Sequence, residues 1–532
     1  MLIALDTETS SLHPHTNNFK LIGVALYDGE GIKEFTNDFD RVKSIAENPD
    51  NTIVCHNIKF DYSALATVGI HIANGACTLA MAHMVDENRF DHSLDSLSRD
   101  LLNDHKDDTA IKVMSKFGWD QIPWEILEPY AIKDAELCYR LYHLLAPKCD
   151  NALVRREFQF VTTVAKMEAR GILTDPQLIS ERIKIGTERM NEIERELGFD
   201  PKKPSLLSKY LHETLGLPIL AKTKTGRPQM DKKTMERYDE MLEGLPILEY
   251  RGWQKAISSY YDKLLQLGPT IHPDYQLQGT VTGRLSCKNP NLQQIPRSSS
   301  SAWNEGSKEI FVPSSPDYEL VEYDYSQLEF RLCAAYAQEK ILLEEFSRPT
   351  GDVFTAMASQ LSLPRQQVKT LTYSVLYGAG VRRIATVFNV PEYEAGKLRD
   401  RFYDTYKGIF TLSKRTEAVT IQRGFIKLWT GRQRHLTRDH AYKAMNSLIQ
   451  GGAAELVKEA MLRCSKFAPS ECRMLLQVHD AIVFEIRRDL LPTYDLLIRD
   501  NMTQFDQFNV TLAVDGHYFR TGSKVELFER TT

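Results

Sequence analysis

The stretch LLQVHDAIVFEI, residues 475–486, sets His479 and Asp480 between two apolar runs that read as strand. The flanks, Leu475-Leu476 and Ile482-Val483-Phe484, suit a buried sheet. An ionised carboxylate buried among them costs several kcal/mol unless a cation compensates. Asp480 therefore needs a partner. Alone, the pair reads as well as a turn aspartate satisfied by backbone amides, so the rest of the chain has to decide.

A second acid, Asp324, closes the apolar segment of YELVEYDYSQ (318–327) and stands at a strand end like Asp480. Brought together, the two supply a shared two-metal site. The segment PRQQVKTLTYSVLYGAG (364–380) predicts a helix opened by Pro364 and closed by Gly378 and Gly380. Arg365, Lys369, Tyr373 and Tyr377 recur every four residues. At ~100° per residue each step drifts ~40°, so they follow one slowly turning face. The Arg fork and the Lys point charge suit a triphosphate, and the tyrosines suit stacking on base and sugar. A basic surface helix with its tyrosines in the core explains the same pattern.

Upstream, LIALDTET places Asp6 and Glu8 on one face of a strand end by period-2 spacing. HNIKFD adds Asn57 and Asp61, and YAIKDAE adds Tyr130 and Asp134 at helical i,i+4. Four converging carboxylates repel unless divalent cations neutralise them, and hard oxygen ligands suit Mg²⁺ or Mn²⁺. Metals ~3.5–4 Å apart activate a water and stabilise the leaving oxygen of a phosphodiester. Tyr130 is placed to orient that water.

The 532 residues predict about three or four domains. No apolar run reaches the ~20 residues of a membrane span. The start MLIALDTETS lacks the features of a signal peptide. The eight cysteines contain no C-x-x-C pair, against zinc sites and disulfide scaffolds. A cytoplasmic protein is expected. Residues 1–150 hold 13 Lys+Arg against 24 Asp+Glu, whereas residues 201–300 hold 15 against 9. A local basic belt fits phosphate-backbone binding, or a solvated surface. Strand-like LIALD (2–6), KLIGVALYD (20–28) and TIVCHN (52–57) alternate with a helix at 126–146, an α/β pattern. Beyond 155 the chain turns helical, with Asp175-Pro176 opening a helix that Gly198 ends. Residues 221–233 read as a basic turn-rich loop and 298–307 as a polar connector.

The first set of acids, with HSLDSLS (92–98), resembles the 3′→5′ proofreading exonucleases of the DEDD superfamily, tyrosine subtype. R-x3-K-x3-Y-x3-YG, DYSQLE and QVHD resemble the three polymerase motifs of family A DNA polymerases, the bacterial DNA polymerase I type. TVTGRLSCKNPNLQQIPR (280–297) and NSLIQGGAAELVKEAM (446–461) are similar to two further segments of that family. The resemblance covers nearly the whole chain. It implies a multidomain α/β and α+β protein: an RNase H-like exonuclease domain over 1–150, then a right-hand polymerase domain over 151–532. Within the latter it implies a thumb at about 155–265, a palm at about 266–339 and 406–532, and fingers at about 340–405. No 5′-nuclease domain is expected ahead of the exonuclease, a build similar to phage replicative polymerases, which would place the protein in a host cytoplasm.

By this resemblance Asp324 and Asp480 hold two Mg²⁺ ions, with Mn²⁺ as a substitute, and Asp6, Glu8, Asp61 and Asp134 hold two more. Arg365 and Lys369 grip the dNTP phosphates, Lys369 also as a proton donor to pyrophosphate, and Glu329 excludes a ribose 2′-hydroxyl. Tyr373, Tyr377, Gln327 and His479 complete the dNTP site. Arg284, Asn291, Gln293, Asn446 and Gln450 line the primer-template minor groove, and Asn57 contacts DNA at the exonuclease. The implied function is template-directed DNA synthesis with proofreading, by a monomer that takes primer-template DNA and dNTPs. A processivity factor, helicase or single-strand-binding protein is a further expected partner. The chain departs from the family at Ala481, where a second carboxylate is usual, at Tyr442, where Arg is common, and at DVF (352–354) in place of DIH. Ala481 keeps two alternatives open: a nuclease whose polymerase half only grips DNA, and a DNA-binding replication factor with a degenerate site.

Overall fold

The computed structural model describes residues 1–107, 122–242, 244–295, 303, 306–348 and 352–525. Most of the 298–307 connector, and the Pro296-Arg297 end of the 280–297 segment, lie outside them. The N-terminal part is built on a five-stranded sheet of β1 (Leu2–Thr9), β2 (Leu21–Tyr27), β3 (Lys33–Thr36), β4 (Thr52–Cys55) and β5 (Gly75–Cys77), in the order β3-β2-β1-β4-β5. The central β1 runs antiparallel to β2 and parallel to β4. Ile3, Ala4 and Leu5 are fully buried because helices cover both faces, which is why this strand reads as a continuous apolar run. A register shift at Glu8/Thr9 breaks the ladder at the acidic end of β1. Such bulges re-aim side chains beside sites.

Helix α1 (Ile58–Ala66) follows β4, and α2 (Trp124–Leu145) carries Tyr130 and Asp134 with Pro129 inside it. Helix α3 (Asn151–Arg170) starts where Asp150 accepts from the amides of Ala152 and Leu153. Helix α4 (Pro176–Leu197) has the expected Asp175 cap and Pro first turn, and Gly198 closes it at φ 75° in the left-handed region. Residues 204–248 add short helices around a small separate core that includes Leu207, Met235, Tyr238 and Ile247, whereas Trp253, Tyr261 and Leu264 pack into the main core. The basic loop is shorter than expected, since Lys232 and Lys233 already begin a helix.

The second sheet holds β6 (Tyr318–Tyr325), β7 (Cys472–Val478), β8 (Ala481–Arg487) and β9 (Val514–Tyr518), in the order β7-β8-β6-β9 and antiparallel throughout. LLQVHDAIVFEI is thus a β7-β8 hairpin whose turn is His479-Asp480. Around it lie α5 (Leu328–Ala337), α6 (Val353–Leu361), α7 (Arg365–Leu376) and α8 (Ala444–Cys464). Pro364 is the N-cap of α7 rather than its first turn, and the helix ends at Leu376 with Tyr377 as its C-cap, slightly short of the expected end.

Two charged seams tie distant parts of the chain together, one from α3 to α8 and one from the N-terminal part to the strand of Arg434 and His435. Buried Glu157 on α3 takes Arg432 and Lys458, while Arg156 and Arg432 both bind the fully buried Glu455 of α8. Nearer the first sheet, Glu87 accepts from Arg434 at 2.6 Å and from the backbone and ring nitrogens of His435 at 2.5 and 2.9 Å. Such buried pairs are worth most as registers, because losing one partner strands the other.

Candidate active sites

The end of β1, the start of α1 and the middle of α2 converge on a cavity of about 200 Å³ lined by Asp6, Glu8, Asn57, Asp61, Tyr130 and Asp134. All the residues expected there from the sequence arrive together. Asp61 is held by Thr7, whose amide and hydroxyl donate to Oδ1 at 3.1 and 2.8 Å. Asn57, the N-cap of α1, is exposed with φ 67°. Left-handed backbone at a non-glycine residue is costly and clusters at functional sites.

Burial raises every acid of this set, and repulsion from its neighbours adds to it at Asp6 and Glu8. Glu8 is pushed up to about 8, first by burial and then by Asp134. Asp61 rises to about 7 through burial, against the Thr7 hydrogen bonds. Asp6 rises through burial and the charges of Asp134, Glu8 and Asp61.

The structure adds a residue that the sequence reading did not single out. Lys106 enters the cavity, pairs its ammonium with Asp134 Oδ2 and lies 5.0 Å from the centroid of the Tyr130 ring. In this lysine-filled arrangement no group of three or more His, Cys, Asp or Glu stands in ligating geometry among the described residues. The expected acids therefore converge, but a side-chain cation stands among them. The set still fits hard divalent ions: it is all oxygen, and Asp134 Oδ1 is buried without a partner.

At the second sheet, Asp324 lies directly opposite Ala481 on β8 and Asp515 on β9. Opposed residues of antiparallel strands share a face with Cβ atoms about 4.5–5.5 Å apart. Asp480 precedes Ala481, and its carbonyl accepts from Tyr325 N at 3.4 Å. The register thus brings Asp324 and Asp480 to the same end of neighbouring strands. Asp515, adjacent to Asp324 on the other side, was not foreseen.

Asp480 is not fully buried: its side chain is 27% exposed, and Arg284 Nη2 stands 3.6 Å away. Arg284 also pairs with Glu329, which accepts from Tyr377 Oη at 2.9 Å. His479 and Gln327 carry φ values of 57° and 54°, so each strand leading to an acid ends in a left-handed residue. The hairpin is braced from below. Gln477 exchanges backbone bonds with Tyr275 Oη at 2.8 and 2.9 Å, accepts from Gln293 Nε2 at 2.7 Å and donates to His479 O.

Gln293 is thus buried in a protein network. Asn291 caps its own turn through Gln293 N, and Asn446 Oδ1 is buried without a partner. Gln450 is half-buried.

On α7, Arg365 and Lys369 are exposed and Tyr373 is half-buried, its ring 6.0 Å from that of Tyr377. Arg365 is engaged by Asp352 at 2.5 Å and lies 5.9 Å from the Phe354 ring. The DVF departure therefore puts an apolar ring under the arginine.

The comparisons agree with this geometry. Residues 176–522 match the model of DNA polymerase family A, and residues 2–150 match a 3′-5′ exonuclease model. The chain belongs to the family A DNA polymerases, with an exonuclease domain ahead of the polymerase domain. It is 30% identical to DNA polymerase I of Pseudomonas aeruginosa over 97% of its own length and 62% of the relative's. It is 28% identical to that of Rhizobium leguminosarum over 84% of its length and 48% of the relative's. The chain thus spans about half to three-fifths of these curated relatives. Its fold is similar to a solved polymerase domain of Pol1 from M. smegmatis, with TM-score 0.81 and 23% identity, covering 97% of this chain and 95% of the other. That structure is a complex with DNA primer-template and dNTP. These relatives are bacterial and lend no support to a phage origin.

Proposed function

We propose that this chain is a template-directed DNA polymerase that adds dNTPs to a primer 3′ end and releases pyrophosphate, with a 3′→5′ exonuclease that trims mispaired ends. One observation carries the reading. Two separate carboxylate centres sit in one chain, one at the end of β1 and the other at the shared end of β6 and β8. Divalent ions, two per centre, would neutralise the phosphate and activate the attacking oxygen.

The chain's own groups do the remaining work. Arg365 and Lys369 hold the triphosphate, and Glu329, fixed by Tyr377 and Arg284, closes the space of a 2′-hydroxyl. Tyr130, i,i+4 from Asp134, orients the hydrolytic water. In this reading residues 1–150 are the exonuclease, about 155–265 the thumb, about 340–405 the fingers and the rest the palm. The basic 221–233 segment tracks duplex phosphates. Primer-template DNA of the kind bound in the M. smegmatis relative is the substrate, and replication is the process served. Ala481, whose methyl faces Asp324, favours the second reading of a nuclease that only grips DNA.

Primer extension with Mg²⁺ and dNTPs, on matched and mismatched primers, tests both. Asp480→Ala should abolish extension and spare trimming; Asp6→Ala should do the reverse. Trimming without extension in the unmodified chain, under Mg²⁺ and Mn²⁺ alike, establishes the second reading.

A further inference from the structure

Four acids of the nuclease centre share one cavity with the ammonium of Lys106. Its position is built. The Lys106 backbone amide donates to Asp95 Oδ1 at 3.1 Å, and Asp95 is itself paired with Arg99 at 2.8 Å. From this anchor the stem reaches Asp134, whose side chain is 4% exposed, and lies against the Tyr130 ring. Asp134 is left half-satisfied: Oδ2 holds the ammonium and Oδ1 has no partner.

A divalent ion on Asp134 and an ammonium on the same carboxylate are like charges within a few ångströms, and in a partly buried site that repulsion is severe. Lysine is a compact point charge on a flexible stem, so the charge can leave while the backbone stays anchored.

We propose that Lys106 is the resident counter-ion of the nuclease centre, and that divalent ions load the site by displacing its ammonium from Asp134. The lysine then sets the metal affinity of proofreading and holds the acids together when no metal is bound. The inference rests on the nuclease reading above.

The test uses the full chain with Asp480→Ala, which weakens metal binding at the other centre, titrated with Mn²⁺ by calorimetry. Adding Lys106→Met should tighten binding by about tenfold, because the competing cation is gone. Lys106→Arg, which keeps a charge with a carboxylate-matching fork, should not tighten it. In the absence of metal, Lys106→Met should melt below the parent and gain more from added Mg²⁺, a shift a merely structural lysine does not produce. Primer extension by Lys106→Met with Asp480 intact reports that the variant is folded. Unchanged or weaker Mn²⁺ affinity in the folded variant overturns the proposal. Absence of trimming by the unmodified chain removes the nuclease reading, while the Mn²⁺ titration still decides the role of Lys106.

Discussion

Burial, and Asp134 beside it, push Glu8 up to about 8, and burial pushes Asp61 up to about 7, because both disfavour the charged form. Metal ligation requires the carboxylates, so loading must expel protons. Titrating the metal-free chain with Mg²⁺ at pH 6.5 should release protons, seen as a heat that depends on the buffer's ionisation enthalpy. At pH 9 the dependence should be weaker, because Glu8 and Asp61 have by then lost their protons. A second prediction at this scale concerns Tyr373. If its hydroxyl takes the place of a missing sugar 3′-hydroxyl, dideoxynucleotides should be incorporated readily. Tyr373→Phe should raise discrimination in favour of dNTPs by about tenfold or more. Competition between dNTP and ddNTP on one template measures it; unchanged discrimination in Tyr373→Phe refutes the role.

Among the elements, the β7-β8 hairpin and helix α7 carry the proposed polymerase centre, and each is held by a contact outside itself. The hairpin turn is fixed by the Gln293–Gln477–Tyr275 network beneath it. Gln293→Ala leaves the Gln477 carboxamide oxygen unpaired in a buried site, at about 1–3 kcal/mol. Denaturant unfolding should show that loss, and primer extension should fall while trimming is spared. Helix α7 presents Arg365 already paired with Asp352, the N-cap of α6. A triphosphate must take the guanidinium from that carboxylate. Asp352→Asn keeps the cap and weakens the pairing, so the KM for dNTP should fall with little change in kcat; a raised KM would show instead that Asp352 aims the arginine.

For the whole molecule, the Glu87 seam ties the exonuclease half to the strand carrying Arg434 and His435. Hydrogen bonding to Glu87 raises His435, so its contribution is full below the ordinary histidine range near pH ~6.5. It is lost as pH rises through the raised value. Glu87 is held down at about 2 by His435 and Arg434 against its burial, so its contribution is present above its ordinary pKa near ~4.3. It fades as pH falls towards 2. Glu87→Gln should therefore lower the melting temperature most between about pH 4.5 and 6.5. The gap should narrow on both sides, more at low pH because Arg434 stays charged at high pH. A gap independent of pH would mean that the seam is held by packing.

Sequence alone determined the elements and most of the chemistry. Strand ends, the Asp175-Pro176 cap and the helical spacing of Tyr130 with Asp134 are local signals, and local physics reads them directly. The acids of the first centre were legible because each sits beside its own apolar run. Tertiary structure alone decided what neighbours them. Lys106 lies in a polar stretch with no periodicity to mark it, and only the fold carries its ammonium to Asp134. Asp515 became a neighbour of Asp324 through strand register across almost two hundred residues of chain, which no local pattern encodes. The left-handed backbone at Asn57, Gln327 and His479 is likewise set by where the strands must turn, since none of these residues prefers it as glycine does. The pairing of Gln293 with Gln477, across almost two hundred residues of chain, is another contact that only the fold decides. Asp480, the anion that had to find a cation, found Arg284 from a segment almost two hundred residues upstream. Long-range charge pairing of this kind is a property of the fold, because its energy depends on distances that spacing along the chain does not fix.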